Sequence, residues 1–226
     1  MIQRLELPTI KTFHSPFKAY GIEFGNTMTV VKLNNGLLWV HSPISLDAQS
    51  KENLENFGRV KFVVAPNDFH YLHIKEFMAI YMDAEYIGSP GLKQKCPQLK
   101  FSRYFNNEYQ PEWKSEIDFL VLNGAREFSE VIFYHIQTQT LIVTDLIMKL
   151  EKSYNPLASI LLSIVGTKNK YATSRIIRQL VKNKLIARDI LKKVTEWPFQ
   201  RIILSHGPII DKNAHLTFKN AIKWAL

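Results

Sequence analysis

The chain is short of several things, and each shortage narrows what it can be. There is one cysteine, Cys96, in 226 residues, which excludes an internal disulfide and a zinc site built on several thiolates. No stretch approaches the ~18 unbroken apolar residues of a membrane span. The longest apolar run, "PLASILLSIVG" at 156–166, reads as a buried helix. The N-terminal "MIQRLELPTIKTF" lacks the basic-then-apolar order of a secretory signal, so a cytoplasmic setting is the expectation. Gly-rich phosphate loops, a Gly-x-Ser-x-Gly elbow and a dinucleotide fingerprint are all missing. Cys96 sits before Pro97 with no base nearby in sequence, which argues against a cysteine nucleophile. Acid is the minority charge, with 20 Asp and Glu against 29 Lys and Arg.

What is present fits a globular chain with a sizeable core: 46% apolar and 22% charged residues. The net charge of +9 is unevenly spread, and from Lys168 to Lys193 nine basic residues face one acid, Asp189. Such a run is either the solvated face of a helix or an attractor for phosphates, nucleic acid or an anionic membrane face. Aromatic interleaving in it is limited to Tyr171, which disfavours nucleic acid.

The first half reads as strands. "MTVVKL" and "LLWVH" flank Asn34-Asn35-Gly36, a hairpin signal, and "RVKFVVAP" is apolar enough to be buried on both faces. Ile74–Tyr81 reads as a helix, "AEYIGSP" and "LKFSRYF" as strands, and 93–115 as otherwise loop-rich. "IDFLVLNG", "EVIFYHI" and "TLIVTDLI" form a meander. Residues 146–195 turn helical, and the chain closes with the strand "RIILSH" and the amphipathic helix "NAHLTFKNAIKWAL". Two packed sheets flanked by helices, in one domain, is the architecture this order implies.

Function is carried by how the strands end. "LLWV" ends at His41, "FVVAP" at Asn67 with His70 and His73 just beyond, "TLIVT" at Asp145, and "RIIL" leads to His206. If these ends share one rim, their side chains meet in a crevice of the kind where open sheets bind ligands. His70 and His73, three apart at a helix start, can point the same way. Imidazoles and a carboxylate suit zinc or iron. The competing reading is structural: His70 and His73 decorate a helix start, Asp145 anchors a turn and His206 bonds backbone carbonyls. His14 and His215 have no evident partner and read as surface residues, whereas His135 can face either way.

The order of elements resembles the metallo-β-lactamase-like hydrolase fold. "LWVHSPI", "VAPNDFHYLHIKEF", "EVIFYHIQTQTLIVTDL" and "EWPFQRIILSHG", between residues 15 and 212, look most like an uncharacterised branch known only as a domain of unknown function. The resemblance implies an α+β fold, a four-layer αββα sandwich over residues 1–226 with a helical insertion at 146–196. It matches Asp145 to the bridging aspartate of that superfamily and His206-Gly207 to its last histidine. The sequence departs elsewhere. The His-x-His-x-Asp-His loop is replaced by Asn67-Asp68-Phe69-His70-Tyr71-Leu72-His73, with Asn67 at the first histidine, and Gly124 is followed by Ala125 where a further histidine is usual.

The expectation is therefore one ion at most, zinc or iron, on His70, His73, Asp145 and His206. Asp68 or His70 would act as acid or base, and Glu130 would hold a histidine in one tautomer. His41 would stand in reserve as a ligand, Asn67 would line the pocket behind the ligands, and Arg126 and the basic helices would draw in a small, anionic substrate. The activity implied is hydrolysis of an ester, thioester, lactone or phosphoester by a metal-activated water. The alternative is a metal-free relative that binds a ligand or partner through the same crevice or its basic helices.

Overall fold

The computed structural model of the protein describes residues 5–125, 128–154 and 156–226. Along the chain run β1 (Ile10–Ser15), β2 (Lys18–Ala19), β3 (Ile22–Glu23), β4 (Asn26–Lys32), β5 (Leu37–His41), α1 (Ala48–Phe57) and β6 (Arg59–Ala65). Then come α2 (Ile74–Ile80), β7 (Glu85–Gly88), α3 (Leu92–Lys95), β8 (Arg103–Tyr104), β9 (Ile117–Ala125), β10 (Phe128–His135) and β11 (Thr140–Val143). The remainder holds β12 (Lys152–Ser153), α4 (Pro156–Val165), α5 (Arg175–Leu180), α6 (Lys184–Val194), β13 (Arg201–Leu204) and α7 (Ala214–Ile222).

A six-stranded sheet in the order β1-β4-β5-β6-β7-β8 faces a four-stranded sheet in the order β13-β11-β10-β9. The alternation of strand side chains builds the layers. In β6, Phe62 and Val64 enter the core between the sheets, while Val63 and Ala65 pack with Leu54 of α1 and Ile74 and Phe77 of α2. In β10, Val131 and Phe133 meet the first sheet, while Ile132 and Tyr134 pack with residues of α5, α6 and α7. β11 and β13 repeat the pattern with Ile142 and Ile203 inward and Leu141, Val143, Ile202 and Leu204 outward. Both sheets are covered on both faces, so helix, sheet, sheet, helix is the layer order, the αββα sandwich implied by the resemblance.

The hairpin β4–β5 forms as the Asn-Asn-Gly signal predicts, with Thr29 opposite His41 and Gly36 at φ +80°. Some sequence expectations need correction. "LKFSRYF" yields only the two-residue β8. The stretch 146–195 is not helical from its start, since α4 opens at Pro156 and loops and β12 precede it. β1, which pairs antiparallel with β4, and a small sheet β12-β3-β2 have no counterpart in the sequence reading.

Connectivity positions the site. β5, β6 and β7 run parallel, as do β11 and β13. Parallel neighbours deliver their carboxyl ends to the same edge, so residues distant in sequence emerge side by side.

Candidate metal centre

Three of the expected ligands meet. His70 Nε2 lies 3.1 Å from His206 Nε2 and 3.5 Å from Asp145 Oδ2, and His206 Nε2 lies 3.3 Å from Asp145 Oδ1. Their side chains are 6–9% exposed. Among the described residues this trio is the one group of three or more His, Cys, Asp or Glu side chains whose donor atoms converge.

Each member is held from behind. Asp145 and His206 follow the parallel pair β11 and β13, whose register sets Val143 beside Leu204. His206 Nδ1 sits 2.6 Å from the Gly25 carbonyl. A carbonyl only accepts, so Nδ1 carries hydrogen, and Nε2 is the atom turned to the cluster. His70 Nδ1 lies 2.7 Å from Ser42 Oγ, a hydroxyl able to serve either tautomer. Asn67 bridges two segments. Its Oδ1 accepts from the amides of Phe69 and His70 at 2.9 Å, fixing the bend, and its Nδ2 donates to Asp145 Oδ2 at 2.7 Å. Behind Asp145, the Glu130 carboxylate accepts from the amides of Thr144, Asp145 and Leu146 at 2.8, 2.9 and 3.0 Å.

Electrostatics sort these groups. Burial and then the neighbouring Asp145 charge push the Glu130 carboxyl up to about 7, against the pull of its three amide donors. Burial opposes the charge on Asp145 too, but the His70 and His206 imidazoles outweigh it and hold that carboxyl far below the usual carboxylate range. Burial lowers His70, with His206 adding to the effect, although Asp145 works the other way. For His206, burial is outweighed by Asp145, the Gly25 carbonyl and Glu130, so its pKa rises. Two imidazole nitrogens and a carboxylate oxygen crowded together in a buried site repel unless a proton or a cation lies among them.

The trio fits a divalent ion. Bonds of about 2.0–2.2 Å at tetrahedral angles place donor atoms about 3.3–3.6 Å apart, close to the 3.1–3.5 Å seen. Two histidines and one carboxylate are a donor set for mononuclear zinc or non-haem iron with positions left open.

Other expected residues lie elsewhere. His73 is apart from the trio, its Nδ1 3.2 Å from Glu76 Oε2. The helix starts only at Ile74, so His70 is in a non-helical turn and the three-residue spacing does not bring the rings together. Asp68 faces away. Its carboxylate accepts from Ser89 Oγ, Ser129 N and Ser129 Oγ at 2.9–3.1 Å, which anchors the loop and leaves it no place in acid–base chemistry at the trio. Glu130 bonds backbone amides and the Asn67 amide rather than an imidazole. His41 packs against Trp39 and Phe133, and burial followed by the nearby His70 lowers it to about 3, so it stays neutral in the core. Arg126 falls outside the described residues.

The remaining histidines all have partners, contrary to the expectation for two of them. His14 lies 3.0 Å from Thr27 Oγ1, and His215 stacks on Phe199 with centroids 4.0 Å apart. His135 is buried beside Thr138, and burial lowers it to about 4.

Sequence reasoning missed Ser42 and the Gly25 carbonyl. The signal for Ser42 was strand alternation. Trp39 and His41 share the inter-sheet face, and the next residue, at φ +56°, turns out of the strand toward the rim.

Above the trio opens a cavity of about 680 Å³. Its walls are mainly apolar, with Phe17, Phe24, Leu161 and Ile176 among them, and Ser42, His70, Asp145 and His206 also line it. Among the described lining residues Lys95 is the single Lys or Arg, and its ammonium is bonded to the Asp68 carbonyl at 2.6 Å.

Against known proteins, the family described as "Domain of unknown function (DUF4336)" matches residues 9–170, and the chain belongs to that family. Solved structures of metallo-β-lactamase fold are similar over the whole chain. The DIM-1 metallo-β-lactamase exposed to ceftazidime is 14% identical, with TM-score 0.66, covering 100% of this chain and 98% of that one. A metallo-β-lactamase from Pontibacter korlensis is 12% identical, with TM-score 0.64 and 99% of each chain covered. The metal-soaked Flv1 flavodiiron core from Synechocystis sp. PCC6803 is 12% identical, with TM-score 0.68, covering 99% of this chain and 60% of that one. At such identities the likeness establishes the fold. None of the curated proteins compared matches.

Proposed function

We propose that the protein is a metal-dependent hydrolase with one zinc or iron ion on His70, Asp145 and His206, formed as one domain in which residues 146–196 are an insertion between β11 and β13. The observation that carries this is the convergence of two imidazole Nε2 atoms and a carboxylate within 3.1–3.5 Å beside an apolar cavity. A bound ion supplies Lewis acidity and acidifies a coordinated water.

The chain's own residues do the positioning. The Gly25 carbonyl keeps hydrogen on His206 Nδ1 and so presents Nε2. Asn67 orients Asp145, Glu130 fixes the backbone that carries it, and Ser42 sets the His70 ring. Phe24 packs edge-on against the His206 ring, with centroids 5.8 Å apart, and Phe17 packs on Phe24 in turn, which gives the donors an apolar wall on that side. The fitting substrate is a small ester, thioester, lactone or phosphoester with an apolar body. The anionic character expected of it finds little support in the lining.

A second reading has its own observation. With Asp145 ionised and His206 holding the extra proton, the trio closes as an ion pair without metal, which suits a ligand-binding module.

Metal analysis separates the two. About one zinc or iron per chain is expected in the purified protein, lost in a His70→Ala/His206→Ala variant that keeps its circular dichroism. A metal-free chain whose melting temperature ignores chelator would overturn the hydrolase reading and favour the module. Turnover of model esters, thioesters, lactones or phosphoesters by the metal-loaded protein then identifies the bond attacked.

A further inference from the structure

The mouth of the cavity is bordered by apolar side chains that the fold leaves uncovered. Tyr20 is 86% exposed, Leu72 62% and Ile176 55%, and all three line the cavity. The helix α4 adds a continuous stripe. Leu157, Ile160, Leu161 and Ile164 recur at intervals of three, four and seven, which places them on one helix face, and they are 76%, 57%, 38% and 56% exposed. Ala158 and Leu162, on another face, make the helix's packing contacts with Ile22, Met148 and Leu150. Ser159 and Ser163 lie on the third side, Ser163 bonded to the Ser159 carbonyl and Ser159 to Lys168 Nζ at 2.6 Å. The helix thus has two apolar faces and only one is buried, a pattern that marks a docking surface.

The surroundings are basic. Lys18 sits 4.5 Å over the Tyr154 ring just before α4, Lys168 is tied to the helix itself, and the Arg175 side chain passes beside Gly166 at its end. Lys170 is exposed nearby in sequence, and α4 carries no acidic residue. The acids at this edge, Glu23 and Glu151, are bonded to Tyr154 and Lys149. With 10 residues α4 is ~15 Å long, half of what a bilayer crossing needs, and no described helix is long and apolar enough to cross a membrane. A short helix with an outward Leu/Ile face and flanking cations suits one position: lying in the plane of an anionic lipid surface.

We propose that α4 and the β2–β3 turn dock the protein on an anionic membrane, with α4 seated among the headgroups and the cavity mouth opening toward the acyl region. Charge complementarity favours this occupant over a second copy of the chain, because two such faces would bring Lys18, Lys168 and Arg175 of each copy together. Docking does not depend on the metal reading.

The test is co-sedimentation of the full chain with phosphatidylcholine vesicles, with and without phosphatidylglycerol. Binding is expected to the anionic vesicles, to weaken with salt, and to fall about tenfold or more in Ile160→Asp/Ile164→Asp with the melting temperature unchanged. Lys170→Glu/Arg175→Glu should remove the preference for phosphatidylglycerol. His70→Ala/His206→Ala should bind vesicles like the parent, which keeps this proposal separable from the hydrolase one. No binding to anionic vesicles at low salt, or equal binding by the Ile160/Ile164 variant, overturns the proposal. So does a dimer by light scattering that this variant makes monomeric, since the face would then join two copies.

Discussion

The floor of the cavity and its rim are opposites built within a few residues of each other. At the floor, polar side chains are buried and almost every donor and acceptor is used: Asn67 makes bonds in three directions and Glu130 gathers three amides. At the rim, large apolar side chains stand in solvent, and Leu157 and Tyr20 are more than three-quarters exposed. The contrast separates two kinds of constraint. Floor residues are fixed by the cost of an unpaired polar group in a dry site. Rim residues stand largely in solvent, so burial within the fold does not account for their apolar character.

Substitutions can break this contrast or sharpen it. The largest effect belongs to Glu130→Ala, which strips the acceptor from the buried amides of Thr144, Asp145 and Leu146. A loss of about 3–5 kcal/mol is expected, read by urea unfolding, and a loss under about 1 kcal/mol would show that water reaches the floor. Asn67→Ala comes next. It leaves the amides of Phe69 and His70 without their partner and frees Asp145 Oδ2, so about 1–3 kcal/mol of stability should go, together with about 10–100-fold in metal affinity measured by competition with a chelating dye. Leu157→Ser on the rim should change stability by no more than about 0.5 kcal/mol. A larger loss in thermal unfolding would mean that α4 is packed against something and that the rim is less open than it looks.

Much of the floor was legible in the sequence. Asp145 and His206 each follow a short apolar strand, and two such strands in parallel pairing bring the next residues together. His70 was legible as a histidine in the short polar bend that follows β6. What could not be read was the turn itself. Asn67 caps the bend through two amides, which delays the helix to Ile74 and parts His73 from His70, and it sends the Asp68 side chain the other way. A helical template applied to that bend gathers four donor side chains where the fold brings three together. Ser42 was hidden by a more conspicuous neighbour, since His41 is the metal-capable residue but belongs to the inter-sheet face. Among the elements, β6, β10, β11 and β13 declared themselves by apolar runs. β2, β3 and β12 are two residues each, too short for any periodicity to register.

Gly207, next to His206, has a further meaning. Its φ is +125°, and a methyl group there would meet the Lys149 carbonyl oxygen at 2.8 Å. The strand end thus has to slip past a neighbouring backbone with nothing protruding before the imidazole can reach its partners. A mutational survey would score this position as intolerant as the three converging side chains, although it brings no side chain of its own to the site; its contribution is clearance.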